Sequence, residues 1–121
     1  MAYVDGFVVP VPKGKLDQYL ALARQAGAVW MEHGALSYVE AVEEDVKDGE
    51  LTSFPQAIKR QEGELVIFAW ITFASRQARD SINAKVMADP RLAQMMDPSA
   101  PPFDGKRMFW GGFEVAVQLG Q

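Results

Sequence analysis

The sequence predicts an α+β domain with elements in the order β-α-β-β-α-β, the ferredoxin-like βαββαβ sandwich. Three observations predict this class. Strand-like segments rich in Val and aromatic residues alternate with two segments whose apolar residues recur every three or four positions. Residues 65–73 form an almost unbroken apolar run, which is typical of a strand covered on both faces. The 121 residues suffice for one core, so we expect a single domain over residues 1–121.

The first three elements follow from the pattern up to residue 43. Residues 3–11 favour a strand, which the prolines at its end terminate. Residues 13–32 place their apolar side chains along one side of a helix, and Gly34 can end it by adopting a positive φ angle. Residues 35–43 alternate between apolar and polar side chains, which predicts a half-buried strand.

Residues 43–63 are acidic and rich in turn signals, which predicts an exposed excursion. The apolar residues that can hold it against the body are Phe54, Pro55, Ala57 and Ile58. Strand three then follows as residues 65–73, and Ser75 is the predicted cap of the next helix.

The second long helix carries apolar residues at every fourth position from 78 to 86. Asp89 followed by Pro90 predicts the start of a short helix over residues 90–96. The prolines of residues 97–102 are incompatible with a helix and predict a loop.

Strand four is predicted over residues 106–119. Gly111 and Gly112 interrupt its pattern, and such glycines mark a bulge or a bend where another backbone comes close. This strand completes a sheet with both helices on one face.

The other face of that sheet has no helix to cover it. Because strand three is apolar on both faces, several hundred Å² of apolar surface would remain in water, which at roughly 25 cal/mol per Å² is unfavourable by many kcal/mol. A second copy stacked through its own sheet would cover this surface. We therefore expect a homodimer through sheet faces.

Composition excludes several classes of partner. The chain has 12 Lys and Arg against 16 Asp and Glu, and its net charge of −4 has the wrong sign for nucleic acid. No apolar run reaches the roughly 20 residues that span a bilayer, so no membrane partner is expected. The absence of Cys fits a reducing compartment, and we expect a cytoplasmic protein.

Short motifs near the two ends and before the proline-rich loop carry a resemblance to a known family. They are YVDGFVVPVP at residues 3–12, DPR at 89–91, FDGKRM at 103–108 and GGFE at 111–114. In these motifs the chain resembles the YbaA-like family of uncharacterised bacterial proteins, over nearly its whole length. The resemblance implies the dimeric α+β barrel superfamily and implies no activity. That superfamily includes cofactor-free monooxygenases, lactone isomerases, haem-dependent peroxidases and small-molecule binders.

Three residues are candidate catalytic groups for proton transfer. His33 is the only histidine and lies at the end of helix one, where the alternative is a surface cap. Asp5 lies in an apolar strand and needs a partner such as Arg107; the alternative is a structural ion pair or an edge residue. Glu40 lies on the same face of strand two as Tyr38.

The aromatic residues exceed what a core of this size requires. They can form flat walls for an aromatic or apolar ligand, and the alternative is that they fill the core and the interface. The candidate substrate-binding residues are Trp30, Tyr38, Trp70, Arg107 and Trp110.

Zinc has neither a second His nor a Cys to complete its ligands, and haem on His33 would need a wide apolar cavity and a distal partner that one His does not indicate. No Gly-rich turn opens a helix for a nucleotide. We therefore expect no metal and no cofactor. Two functions stay open. One is a cofactor-independent small-molecule enzyme, monooxygenase- or isomerase-like, with an aromatic-lined pocket; the other is a non-enzymatic dimer that binds a small hydrophobic ligand or a protein partner. A cavity containing a titratable group would favour the enzyme.

Overall fold

The computed structural model describes residues 2–95, 99 and 101–120, and within them it contains four strands and four α-helices. The strands are β1 (Tyr3–Pro12), β2 (Ser37–Val42), β3 (Glu64–Phe73) and β4 (Phe109–Glu114). The helices are α1 (Leu16–Glu32), α2 (Phe54–Ala57), α3 (Arg76–Ala88) and α4 (Pro90–Met95). A 3₁₀ turn joins β1 to α1, so the predicted first helix begins in this tighter form. No helix in the described ranges is long and apolar enough to cross a membrane.

The strands form one antiparallel sheet in the order β2-β3-β1-β4. In the centre, β1 pairs with β3 along its whole length, from Tyr3 opposite Phe73 to Pro12 opposite Glu64. With α1 and α3 packed on one face, this is the ferredoxin-like α+β arrangement, and the predicted fold class is confirmed.

Two core clusters lie between the sheet and the helices. The first contains Val9, Val11, Tyr19, Ala23, Ile67 and Ala69. The second contains Val29, Ala35, Ile71, Phe73, Ile82 and Val86. Because α1 contributes to both clusters, it spans the sheet and defines the space beneath it.

The excursion between β2 and β3 is held against the body by its apolar residues, as predicted, and it packs on the face of the sheet opposite the helices. Ile58 is 1% exposed and contacts Val8 and Val66 there. The ring of Phe54 meets that of Phe68 edge-on, with centroids 5.8 Å apart. The Ser53 side chain accepts a hydrogen bond from the Gln56 amide and caps α2, which fixes the turn.

The rest of this face is open to solvent. Phe68, Phe109 and Phe113 are 45%, 45% and 62% exposed, and the ring of Trp70 lies 5.5 Å from that of Phe68. We call these four residues the open face. Phe68, rather than its neighbour Ile67, is therefore the residue of β3 that points away from the helices.

The predicted start of α3 at Ser75 and the predicted end of α1 at Gly34 are confirmed. The Ser75 side chain accepts a hydrogen bond from the Ala78 amide at 3.1 Å and caps α3, and Gly34 ends α1 with a φ of 113°. Residue 96, predicted to end the short helix, lies outside the described residues, as do residues 97, 98 and 100 of the predicted loop.

Strand four is shorter than predicted. It pairs with β1 only from Tyr3 opposite Glu114 to Val8 opposite Phe109, and one further bond joins the Val115 amide to the Ala2 carbonyl. Beyond that point β4 has run past the start of β1, so residues 116–119 have no strand to pair with. At the other end, residues 106–108 form a turn on the Asp104 carbonyl.

The predicted bulge at the paired glycines is also wrong. Gly111 and Gly112 pair one-to-one with Gly6 and Asp5, so the register is continuous. A Cβ atom at Gly112 would lie 2.6 Å from the hydroxyl oxygen of Tyr3. The Tyr3 side chain lying across Gly112 therefore explains why this position has no side chain, and no close approach of another backbone is required.

Candidate functional site

A cavity of about 260 Å³ lies between α1, the helix-covered face of the sheet and α4. Its size suits a small organic molecule, near the lower end of the range for ligand pockets. Aromatic and aliphatic side chains form most of the wall, among them Phe7, Leu22, Trp30, Leu92, Phe103 and Met108. The only carboxyl group among the described lining residues is that of Glu40.

Two tyrosine hydroxyls hold the Glu40 carboxyl group. The Tyr19 hydroxyl donates to Oε1 at 2.7 Å and the Tyr38 hydroxyl donates to Oε2 at 2.8 Å. Tyr38 and Glu40 reach the same side because residues two apart on a strand share a face, and Tyr19 approaches from α1. Each carboxyl oxygen therefore has one fixed donor.

Burial sets the protonation behaviour of this group. Desolvation raises the pKa of Glu40, and the hydrogen bonds from Tyr19 and Tyr38 oppose that rise only in part. Burial, followed by the charge of Glu40, raises the pKa of both tyrosines well above their usual range. The tyrosines thus stay protonated donors, while the carboxyl group titrates closer to neutral pH than an exposed one does.

Close packing fixes the ring of Tyr38. It lies against Gly27 in the middle of α1, and its centroid is 5.9 Å from the Trp30 ring. The Trp30 indole N–H donates to Asn83 Oδ1 at 3.0 Å, which ties this wall of the cavity to α3. Glu40, Tyr38 and Trp30, all singled out from the sequence, are therefore brought together.

Asp5 lies elsewhere, and its predicted partner was wrong. It is 0% exposed and accepts hydrogen bonds from Arg79 at 3.1 Å and from Asn83 at 3.3 Å, both on α3. The register explains the difference, because β4 places Gly112 opposite Asp5 while Arg107 lies in the turn before that strand. Burial raises the pKa of Asp5 despite these partners. Asp5 does not line the cavity and is connected to it through Asn83, which also accepts a hydrogen bond from the lining residue Trp30.

Arg107 supports the site from outside. It donates to Glu64 at 2.6 Å and to Asp104 at 2.9 Å. These bonds fasten the turn that carries Phe103 and Met108, which do line the cavity. Arg107 itself is not among the lining residues, so it has a structural place in the fold rather than the predicted contact with substrate.

His33 lies at the surface end of α1, away from the cavity. Its Nε2 is 2.9 Å from Asp89 Oδ2, and Asp89 also pairs with Arg91. Hydrogen bonds from Arg91, then from His33, hold the pKa of Asp89 well below its usual range. The arrangement joins α1 to α4 and agrees with the surface alternative for this histidine.

The other two tryptophans do not form the predicted wall together. The ring of Trp70 lies on the open face with Phe68, although the residue borders the cavity from the sheet. Trp110 stacks on Phe7 with centroids 5.9 Å apart, is 54% exposed, and is not among the lining residues.

The periodicity of residues 13–32 does not distinguish Tyr19 from core residues, because it lies in the same apolar stripe of α1 as Ala23 and Trp30. The available signal was its hydroxyl, because a tyrosine buried in such a stripe needs a hydrogen-bond partner. In the described part of the chain, no three His, Asp or Glu side chains gather as metal ligands.

Solved structures resemble the fold at low sequence identity. A dimeric ferredoxin-like protein from an uncultured marine organism aligns with a TM-score of 0.61 and 8% identity, covering 98% of this chain and 100% of its own. A NIPSNAP family protein of unknown function from Agrobacterium tumefaciens aligns with a TM-score of 0.58 and 16% identity, covering 95% of this chain and 88% of its own. A putative antibiotic biosynthesis monooxygenase from Nitrosomonas europaea aligns with a TM-score of 0.55 and 11% identity, covering 98% of this chain and 94% of its own. These similarities establish the fold alone.

Sequence similarity is more specific. The chain is 48% identical over 117 residues to the uncharacterized protein YbaA of Escherichia coli K12, covering 97% of this chain and 98% of that protein, and the Shigella flexneri protein gives the same values. Residues 2–105 match the model of a protein family of unknown function, DUF1428. The resemblance seen in the end motifs is confirmed, and the chain belongs to the DUF1428 family.

Proposed function

We propose that this chain is a cofactor-independent small-molecule enzyme in which the Glu40 carboxyl group transfers a proton within an apolar cavity. The observation that carries the proposal is a carboxyl group fixed by two tyrosine hydroxyls in the wall of a cavity of about 260 Å³ that is otherwise almost wholly apolar. Burial raises the pKa of this carboxyl group, which moves it toward the range of general acids and bases, and its place in the wall puts it within reach of a bound ligand.

The chemistry follows from the contacts. Glu40 accepts a proton from an acidic C–H or O–H group of the ligand and becomes neutral, and in the ionised form the Tyr19 and Tyr38 hydroxyls stabilise its charge. In an isomerisation the same carboxyl group returns the proton at another atom, so the reaction balances without an oxidant. Oxygenation would need dioxygen as a co-substrate. The fold similarity to a putative monooxygenase supports testing that reaction as well.

The proposal includes assembly as a cytoplasmic homodimer through the open face. Phe68, Phe109 and Phe113 are exposed together there, and a second sheet would remove them from water. A protein with the same fold is a dimeric ferredoxin-like protein, which supports a dimer. Light scattering on the purified chain should give about twice 13.4 kDa.

One observation favours the non-enzymatic alternative. Each oxygen of Glu40 already accepts a hydrogen bond from a tyrosine, which is sufficient to stabilise a structural carboxyl group, and the apolar wall alone can hold a small hydrophobic ligand. Proton transfer to the ligand separates the two functions, because a binder does not need it.

The experiment is hydrogen exchange of bound ligands in deuterated water. Phenols, quinols and enolisable hydroxyketones that bind saturably are incubated with the protein, and NMR follows loss of their C–H protons and any conversion. We expect catalysed exchange by the wild-type protein and a loss of about 100-fold or more in Glu40→Gln with binding retained. Saturable binding with no exchange and no conversion would establish the binder instead.

A further inference from the structure

Glu40 differs from the other buried or partly buried carboxyl groups because no arginine in the described part of the chain pairs with it. The buried or partly buried carboxyl groups of the described residues are those of Asp5, Glu40, Glu43, Glu64, Asp89 and Asp104. All except Glu40 have an arginine nitrogen within 3.1 Å. The partners of Glu40 within the described chain are two neutral hydroxyls. Its charge is therefore solvated by the protein without being paired.

The hydrogen-bond donors in the cavity wall are already used. Tyr19 and Tyr38 each have one hydroxyl proton, and both protons point to Glu40. The indole N–H of Trp30 points to Asn83. The ring of Trp70 lies on the open face, and the remaining described side chains of the wall are apolar. The wall thus offers a ligand hydrogen-bond acceptors and aromatic faces, with no unused side-chain donor among the described residues.

This inventory selects the chemistry of the ligand. An anion would be desolvated beside a carboxyl group with no donor to receive it, and a ligand that only accepts hydrogen bonds would find none. A cation with N–H groups would satisfy Glu40 by charge-assisted hydrogen bonds. Aromatic side chains, among them Phe7, Trp30 and Phe103, also line the cavity, and aromatic faces attract cations.

We propose that the ligand of this cavity is a small hydrophobic ammonium ion, a protonated primary or secondary amine whose N–H group donates to Glu40. The inference rests on the proposed function, since it names the substrate class of the same site. Burial raises the pKa of Glu40, so ammonium binding releases a proton from the fraction of protein in which Glu40 is protonated. Affinity should then rise with pH through the pKa of Glu40, as long as the amine itself stays charged.

The charged and titratable groups around Glu40 are few. Tyr19 from α1 and Tyr38 from β2 face it directly. Arg24, also on α1, lines an adjoining cavity of about 370 Å³ with Glu40 and Tyr38, but it is exposed and makes no ion pair with Glu40. The described residues that reach the main cavity from β1, β3, α4 and the turn before β4 are not titratable.

The test compares three ligands that share one ring: benzylammonium, benzyl alcohol and benzoate. Calorimetry on the full chain near neutral pH should give benzylammonium an affinity about tenfold or more above that of benzyl alcohol, and benzoate no measurable binding. In Glu40→Gln, benzylammonium and benzyl alcohol should bind with about equal affinity. Arg24→Gln is the matched control and should keep the preference, because Arg24 does not neutralise Glu40.

A wild-type measurement keeps the inference testable if Glu40→Gln fails to fold. The affinity for benzylammonium should increase with pH while that for benzyl alcohol stays constant. Equal or weaker binding of the cation, or a preference that survives in Glu40→Gln, would overturn the inference. If phenols or quinols bind and exchange protons while benzylammonium does not bind, the proposed function stands and the ammonium class is wrong. If none of the ring compounds binds, both proposals fail.

Discussion

Gly27 in the middle of α1 lies directly against the ring of Tyr38, and a Cβ atom on Gly27 would be 2.7 Å from Tyr38 Cδ1. Since Tyr38 donates to Glu40, the absence of one methyl group on α1 is what allows this hydrogen bond. A glycine inside a helix costs roughly 1 kcal/mol relative to alanine, so its position here indicates a packing requirement.

Gly27→Ala should therefore destabilise the protein. We expect a loss of about 1–3 kcal/mol in the free energy of unfolding, because the ring must move away from Glu40 or strain the helix. Urea denaturation measures this directly. Gly14→Ala is the control, since no described atom lies within 4 Å of its added Cβ. An increase in stability for Gly27→Ala would show that the ring moves freely.

Glu40→Gln should change stability in a pH-dependent way. The pKa of Glu40 is raised by burial above its ordinary 4.5, so this group favours the folded state most below pH 4.5. That contribution is lost as the pH rises through the folded-state pKa. The variant has no such loss, so its stability relative to the wild type should increase with pH over this range. Asp5, whose pKa is also raised, is present in both proteins. A difference that stays constant with pH would contradict the raised pKa.

Asn83→Ala should disturb Trp30 and Asp5 together. Asn83 accepts from the Trp30 indole at 3.0 Å and donates to Asp5 at 3.3 Å, so both buried groups lose a partner. We expect a loss of about 1–3 kcal/mol in the free energy of unfolding and a shifted Trp30 indole resonance in ¹⁵N NMR spectra. Ser81→Ala, at an exposed position of the same helix, should leave both unchanged. An unshifted Trp30 resonance in Asn83→Ala would contradict the link.

Arg107→Met should loosen the turn before β4. Without the guanidinium, Glu64 and Asp104 lose their shared partner, and we expect a loss of about 1–3 kcal/mol at neutral pH. The hydrogen bond from Arg107 is the main cause of the lowered pKa of Glu64, so the wild-type advantage should shrink as pH falls below 4.5. Urea denaturation at several pH values measures it, with exposed Lys106→Met as the control. An effect of equal size in both variants would point to general loss of charge.

Phe113→Asp should separate the proposed dimer into folded monomers. Phe113 is 62% exposed on the open face, so its replacement leaves the monomer core intact but places a charge at the sheet interface. Light scattering should fall from about twice 13.4 kDa to the chain mass. Leu51→Asp, at a residue that is 97% exposed and outside the open face, should remain dimeric. A wild-type protein that is already monomeric at micromolar concentration would exclude the interface.

The element order and several local signals could be predicted because they depend on neighbours in sequence. Helix periodicity, the cap at Ser75 and the positive φ at Gly34 are of this kind. The end of β4 was not predictable in the same way. It depends on where β1 begins, which is a property of the pairing between distant segments.

The site was predictable only in part for the same reason. Glu40 and Tyr38 share a strand face, so their proximity follows from period-two alternation. Tyr19 is 21 residues away from Glu40 in the chain, and its contact depends on how α1 lies across the sheet. The sequence alone allows Arg107 to pair with several carboxyl groups. The register of β4 places Arg107 away from Asp5, and it pairs with Glu64 instead.

The most direct test is to observe the Glu40 carboxyl group itself. In protein labelled with ¹³C at glutamate side-chain carboxyls, comparison with Glu40→Gln assigns its resonance, which is then titrated with pH in the absence and presence of saturating ring compounds. We expect a pKa above 4.5 without ligand and a change in that pKa when a ligand binds. An ordinary glutamate pKa that no bound ligand alters would contradict the assignment of Glu40 as the proton-transfer group.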